Sequence, residues 1–118
     1  MQNIVYVSGL FQNCFYVESH MHKTYELVYY TFGDGVVEIG GETVPFHKGT
    51  FTLVEPEILH SDRAVRGFQN LHLNVVNPGI PVKKYLVLED NENRDILRIF
   101  QNIHYEYHFR RSNCEDLI

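Results

Sequence analysis

His20-Met21-His22-Lys23-Thr24-Tyr25-Glu26-Leu27-Val28-Tyr29-Tyr30-Thr31-Phe32-Gly33-Asp34-Gly35 is the stretch on which the fold turns. Residues 20, 22 and 26 share a parity, so on extended backbone, with its two-residue side-chain period, two imidazoles and a carboxylate point to one face. The run from Tyr25 to Phe32 is rich in β-branched and aromatic residues, and Gly33-Asp34-Gly35 is a turn signal that ends it. Pro56-Glu57-Ile58-Leu59-His60 brings a third imidazole from another segment. Three histidines and one carboxylate suit a first-row divalent metal, and they equally suit a polar pocket for a small anion or sugar.

Outward from this stretch, the same texture runs from residue 4 to about 76. Strands are expected near Ile4–Ser8, Phe15–Glu18, Tyr25–Phe32, Val36–Ile39, Thr43–Phe46, Phe51–Val54 and Phe68–Val76. Turn residues separate them at Gly33-Asp34-Gly35, Gly40-Gly41, His47-Lys48-Gly49 and Asn77-Pro78-Gly79. Many short antiparallel strands in so few residues mean a mainly β fold, a sandwich or small barrel. Along the last strand Phe68, Asn70, His72 and Asn74 alternate with Leu71, Leu73 and Val75. Covered by a helix outside, the apolar row would leave Asn70, His72 and Asn74 lining the barrel mouth. On an edge strand the polar row would face water instead, and the alternation leaves both readings open.

After Lys84 the period changes. Asn93 is the expected N-cap, and Ile96, Ile99, Phe100, Ile103 and Tyr107 form an apolar stripe on a helix running to about Arg111. Such a stripe most often packs on its own barrel, the alternative being a partner's helix, and this one is wider than a small barrel needs to cover. Ser112-Asn113-Cys114-Glu115 reads as a capping box opening another helix, of which Leu117 and Ile118 are the beginning. That implies the front part of a longer protein. His104 and His108 stand at i, i+4, a chelating spacing without a third ligand nearby, and are expected to be an exposed pair. Most of the tyrosines and phenylalanines are expected in the core, and His47 has no assigned role.

The 118 residues suit one domain with a core of its own. No segment approaches the apolar run of a membrane span, and Met1-Gln2-Asn3-Ile4-Val5-Tyr6 lacks the features of a secretory signal. Cys14 and Cys114, far apart and outside any Cys-x-x-Cys spacing, are expected as reduced thiols in a cytoplasmic protein. With 10 Lys+Arg against 15 Asp+Glu, the net charge of −5 would repel a phosphate backbone, and Arg110-Arg111 reads as the cationic end of a helix.

His20, His22, Glu26 and Gly33 resemble the first motif of the cupin superfamily, with Cys14 where that motif opens on glycine. The second motif is represented by Gly49 and His60, while Glu55, Glu57 and Ala64 depart from it. The run from Tyr25 to Gly35, then Ile39-Gly40-Gly41-Glu42, Lys48-Gly49 and Leu53-Val54-Glu55-Pro56 to His60, is similar more narrowly to the sensory domain of AraC-type transcription regulators. The stretch from Asp95 to Glu106, then Ser112 to Ile118, resembles the helices that follow that barrel. The resemblance implies a cupin jelly-roll barrel over 1–90, a linker and dimerisation helix over 91–111, and the start of a further helix over 112–118. Together with the width of the stripe, the dimerisation so implied leads to an expected homodimer in which this helix packs on its counterpart. It implies a small polar effector, with a sugar as one candidate, contacting residues among His22, Glu26, His60, Asn70 and His72, and DNA binding through a C-terminal domain beyond this sequence. A divalent Zn, Ni, Mn or Fe ion would be held by His20, His22, Glu26 and His60. The rival is a stand-alone metal-dependent cupin enzyme of the dioxygenase or isomerase type.

Overall fold

Alternating apolar and polar residues produce a seven-stranded sheet and one helix across residues 3–116, which the computed structural model describes. The elements are β1 (Ile4–His20), β2 (Tyr25–Phe32), β3 (Gly35–Ile39), β4 (Glu42–Phe46), β5 (Thr50–Val54), β6 (His60–Val75), β7 (Tyr85–Glu89) and α1 (Asp95–Asp116). β6 is the spine. Along one side it pairs first with β3, Ile39 opposite His60, and then with β2, Tyr25 opposite Val75. Along its other side it pairs with β1 from His20↔His60 to Ile4↔Val75. Beyond these, β4 extends β3, and β5 and β7 extend β2, giving the order β4-β3-β6-β2-β5-β7.

The sheet must bend where β2 passes into β3, and glycine permits it. Gly33 at φ 95° and Gly67 at φ 89° face each other across the pair, and a Cβ on Gly33 would lie 2.2 Å from the Gly67 carbonyl oxygen. The bend curls the sheet until its ends meet. There the Tyr85 hydroxyl of β7 donates to Glu42 Oε2 of β4 at 2.5 Å.

Curling sorts the side chains by parity. Val28, Tyr30, Val37, Ile39, Phe46 and Phe68 pack inside the curl. Val7, Tyr29, Leu71, Leu73 and Val75 face outward and are covered by α1 through buried Phe100, with Ile96, Leu97, Ile103 and Tyr107 beside it. Each large side chain so buried contributes about 1.5–3 kcal/mol. The stripe covers its own barrel, and of its residues Ile99 stays half-exposed.

Several boundaries differ from expectation. The two N-terminal strands are one, β1, which bends at register shifts and does not break. β6 begins at His60, eight residues before the expected start at Phe68, because the chain from His60 to Arg63 is held from both sides by β1 and β3. β7 was not expected. The helix is capped by Asp90 and Asn91, not Asn93: Asp90 accepts the backbone N–H of Ile96 (3.0 Å) and Leu97 (3.1 Å), and Asn91 Oδ1 accepts that of Asp95 (3.1 Å). α1 also runs on past Arg111 to Asp116, so the backbone does not restart at Ser112 as a second helix. Leu117 and Ile118 lie outside the described residues.

Candidate metal centre and ligand cavity

Cross-strand register assembles the site in rows on the inner face. His20, His60 and Ile39 form one row and Val17, Asp62 and Val37 the next. Past the bend come Leu10, Asn70 and Tyr30, then Ser8, His72 and Val28, then Tyr6, Asn74 and Glu26. Curling folds the two ends of this face together, so His60 Nε2 lies 3.0 Å from Glu26 Oε1 and His22 Nε2 lies 2.9 Å from Glu26 Oε2. One ligand atom from each of His20, His22, Glu26 and His60 falls within 4.8 Å of the others.

The hydrogen bonds around the cluster decide which nitrogens are available. His20 Nδ1 lies 2.7 Å from the Glu18 carbonyl oxygen and His60 Nδ1 lies 2.9 Å from that of Ile58. A carbonyl only accepts, so both Nδ1 atoms carry protons, and the Nε2 atoms of the neutral rings are bare lone pairs. His60 Nε2 then faces a carboxylate oxygen, lone pair against lone pair, unless a proton or a metal cation lies between them. His22 Nε2 is buried and, for all its proximity to Glu26, makes no hydrogen bond. Backbone carbonyls fixing the far nitrogen are the usual support of metal-ligating histidines, so the donor set fits a divalent cation.

Without a cation, the Glu26 carboxylate and the His60 imidazole favour each other's charged forms. Burial pushes the Glu26 carboxyl up, but the adjoining His22 and His60 imidazoles outweigh it and hold the group well below the usual carboxylate range. For His60 burial acts downward, and the Glu26 carboxylate and the Ile58 carbonyl outweigh it to raise its pKa. Glu26 and His60 are 6% and 5% exposed, so neither exchanges its partner readily for water.

Beside the cluster opens a cavity of about 390 Å³ whose wall includes His20, His22, Glu26, Asn70, His72 and Asn74. The polar row of β6 therefore lines the interior, while Leu71 and Leu73 lie under α1, since β6 is paired on both edges. Asn70 Oδ1 accepts the Leu10 backbone N–H at 3.3 Å, and Asn74 Nδ2 donates to Thr24 Oγ1 at 3.3 Å. Burial depresses the pKa of His72, which stacks on Tyr6 with ring centroids 6.3 Å apart.

Sequence reasoning missed Asp62, a buried carboxylate in the same wall that accepts the Tyr30 hydroxyl at 2.7 Å. Its pKa is raised by burial, against the pull of Tyr30 and His60. The signal was its shared parity with His60, which shows only once residues 60–67 are known to be strand. Lys23, Thr24 and Tyr6 at the cavity rim were missed as well. His104 and His108 pair with each other, ring centroids 4.5 Å apart, and no third metal-ligating side chain joins them among the described residues.

Fold and site together define a cupin barrel built to hold a ligand. The chain belongs to the family of AraC-like ligand binding domains, whose match covers residues 3–114. No curated protein matches it. Among solved structures it is similar to a predicted oxalate decarboxylase from Thermotoga maritima, at 19% identity over 64% of this chain and 70% of that one, with a TM-score of 0.58. A cupin protein from Bacteroides fragilis aligns at 20% identity over 66% and 69% of the two chains, with a TM-score of 0.52. A bacterial pirin from Escherichia coli in complex with nickel(II) aligns at 13% identity over 74% and 42%, with a TM-score of 0.61. These likenesses establish the fold.

Proposed function

We propose that this chain is the effector-sensing part of an AraC-type transcription regulator, and that its cavity takes a small polar metabolite beside a divalent metal. The observation that carries the reading is the continuity of polar groups from the His20, His22, Glu26 and His60 cluster onto the wall formed by Asn70, His72 and Asn74. Amides and a neutral imidazole read hydroxyl and carbonyl groups, so a sugar or related polyol suits the wall. A divalent ion held by the four side chains would supply a Lewis-acid anchor for a ligand oxygen.

Coupling to the rest of a regulator would run through β6, whose residues alternate between the cavity and the underside of α1. Asn70, His72 and Asn74 meet the ligand, while Leu71, Leu73 and Val75 carry Phe100. A ligand shifts the helix only if it binds two arrangements of this strand unequally. DNA would be read by a domain beyond this sequence.

The chain purified without chelator should carry about one zinc, nickel, manganese or iron ion, by elemental analysis, and His22→Ala should lose most of it because the ligands act together. Added nickel at one hundred times its Kd should stabilise the parent by about 2.7 kcal/mol and His22→Ala by much less. No metal in the parent, even after incubation with nickel, would sink the metal part. The complete donor set also favours a stand-alone metal-dependent enzyme, and steady oxygen uptake by the iron-loaded chain with a substrate would decide for it.

A further inference from the structure

Around the bend where β2 passes into β3 lies a groove of about 1040 Å³ that shares no lining residue with the ligand cavity. β6 makes one wall of it by leaving the ladder. Its register jumps from Arg63 opposite Tyr16 to Phe68 opposite Cys14 along β1, and from Arg63 opposite Val36 to Gln69 opposite Phe32 along β3 and β2. Residues 64–67 therefore stand against Phe15 on one edge and against the 33–35 turn on the other, a bulge on both sides. The bulge carries Val65, 97% exposed, between Arg63 and Arg66, with Phe15, Phe32 and Lys48 around the same groove and both phenylalanines about half exposed. Exposed apolar side chains gathered in one groove and rimmed by charge mark a recognition surface.

We propose that this groove docks an acidic peptide segment of a partner protein, a large apolar side chain seating against Phe15, Phe32 and Val65 and flanking carboxylates meeting Arg63, Arg66 and Lys48. Charge selects the occupant. Three of the chain's ten basic residues line the groove against one acid, Asp34, so it is positive on a molecule of net charge −5. Lys48 and Arg66 make no ion pair among the described residues, and Arg63 holds Glu38 only at 3.5 Å with both side chains largely exposed. Guanidinium groups take carboxylates two-pronged, which suits aspartate and glutamate. A nucleic-acid strand would bring a phosphate with every nucleotide against Asp34, Glu38 and the net charge, whereas a peptide brings carboxylates only where the cations stand. The volume lies at the upper end of what small ligands fill, and the groove is open to solvent, which favours a segment of chain over a metabolite. None of this depends on reading the cavity as a ligand site.

A random-peptide display library selected against the chain should yield aspartate or glutamate flanking phenylalanine, tyrosine, tryptophan or leucine. A synthetic peptide of the selected sequence should bind with a Kd of about 10–100 μM, weakening as salt rises. Arg63→Glu/Arg66→Glu should lower its affinity about tenfold or more, and a copy of the peptide with lysine in place of its acids should prefer that variant to the parent. Val65→Ser, at a side chain already in water and so without consequence for the fold, should weaken the peptide severalfold. Arg98→Glu, on the exposed side of α1, should change nothing. Circular dichroism of each variant should match the parent. A library without binders, selected sequences that are neutral or basic, affinity that survives both groove variants, or affinity lost in Arg98→Glu each overturns the proposal. So does displacement of the peptide by a single-stranded oligonucleotide at equal concentration, which would give the groove to nucleic acid, or self-association of the parent that Arg63→Glu/Arg66→Glu abolishes, which would give it to a second copy.

Discussion

At the scale of single residues, the buried Asp62 carboxylate accepts a hydrogen bond from one buried phenol, which makes it sensitive to a small change there. Tyr30 donates to Asp62 while its ring stacks on Phe46 at 3.8 Å between centroids. Burial first, and then the charge of Asp62, raise the phenol's pKa well above its ordinary value, so it stays a donor. Tyr30→Phe keeps the stack and strips the buried carboxylate of that bond. It should cost about 1–3 kcal/mol, read as a lower urea midpoint at unchanged slope. A midpoint within error of the parent would mean that Asp62 draws its support from elsewhere.

At the scale of elements, the helix is held to the barrel by one carboxylate as well as by apolar contact. Asp90 caps the first turn of α1 and accepts the Tyr29 hydroxyl at 2.7 Å, while Tyr29 packs against Phe100 and Phe51. Burial, followed by Asp90, pushes the Tyr29 hydroxyl up to about 12. Burial works upward on Asp90, but the Tyr29 hydroxyl and the N–H groups of Ile96, Leu97 and Asn91 prevail and hold its pKa below the ordinary value. A depressed carboxyl contributes stability above its unfolded pKa of about 4 and loses it as pH falls through the folded value. Asp90→Ala should therefore cost about 1–2 kcal/mol at neutral pH. Its deficit against the parent should shrink toward zero as denaturation is repeated in increasingly acid buffer. A deficit of the same size throughout would show that apolar contact alone docks the helix.

At the scale of the whole molecule, charge governs what the chain meets. Fifteen acidic against ten basic side chains give little counterion release on a duplex, and α1 lies with its apolar side on the barrel. Residues 1–118 should produce no sequence-specific retardation of duplex DNA in a mobility shift at low salt. Specific retardation by this stretch alone would place the reader of the operator inside the barrel domain.

Local chemistry in the sequence was enough for the β-rich texture and for Gly33 at the turn, because each depends only on a two-residue period or on one residue's backbone freedom. His20, His22 and Glu26 do meet, but through the curl of the sheet and not through strand parity, since residues 21–24 are not strand and His20 and Glu26 lie on β1 and β2. His60 was legible as a candidate fourth donor by residue type, and its meeting with the others depends on the curl of the sheet. Tertiary structure alone decided the rest. The inward face of β6 depends on its being paired on both edges and covered by α1, so Asn70, His72 and Asn74 could not be assigned from alternation. Asp62 stayed hidden because its strand is stabilised by neighbours distant in sequence and not by its own propensity. The helix stripe was visible, but its partner was not: an apolar face specifies that it will be covered, and only the packed molecule shows that the barrel beneath does the covering.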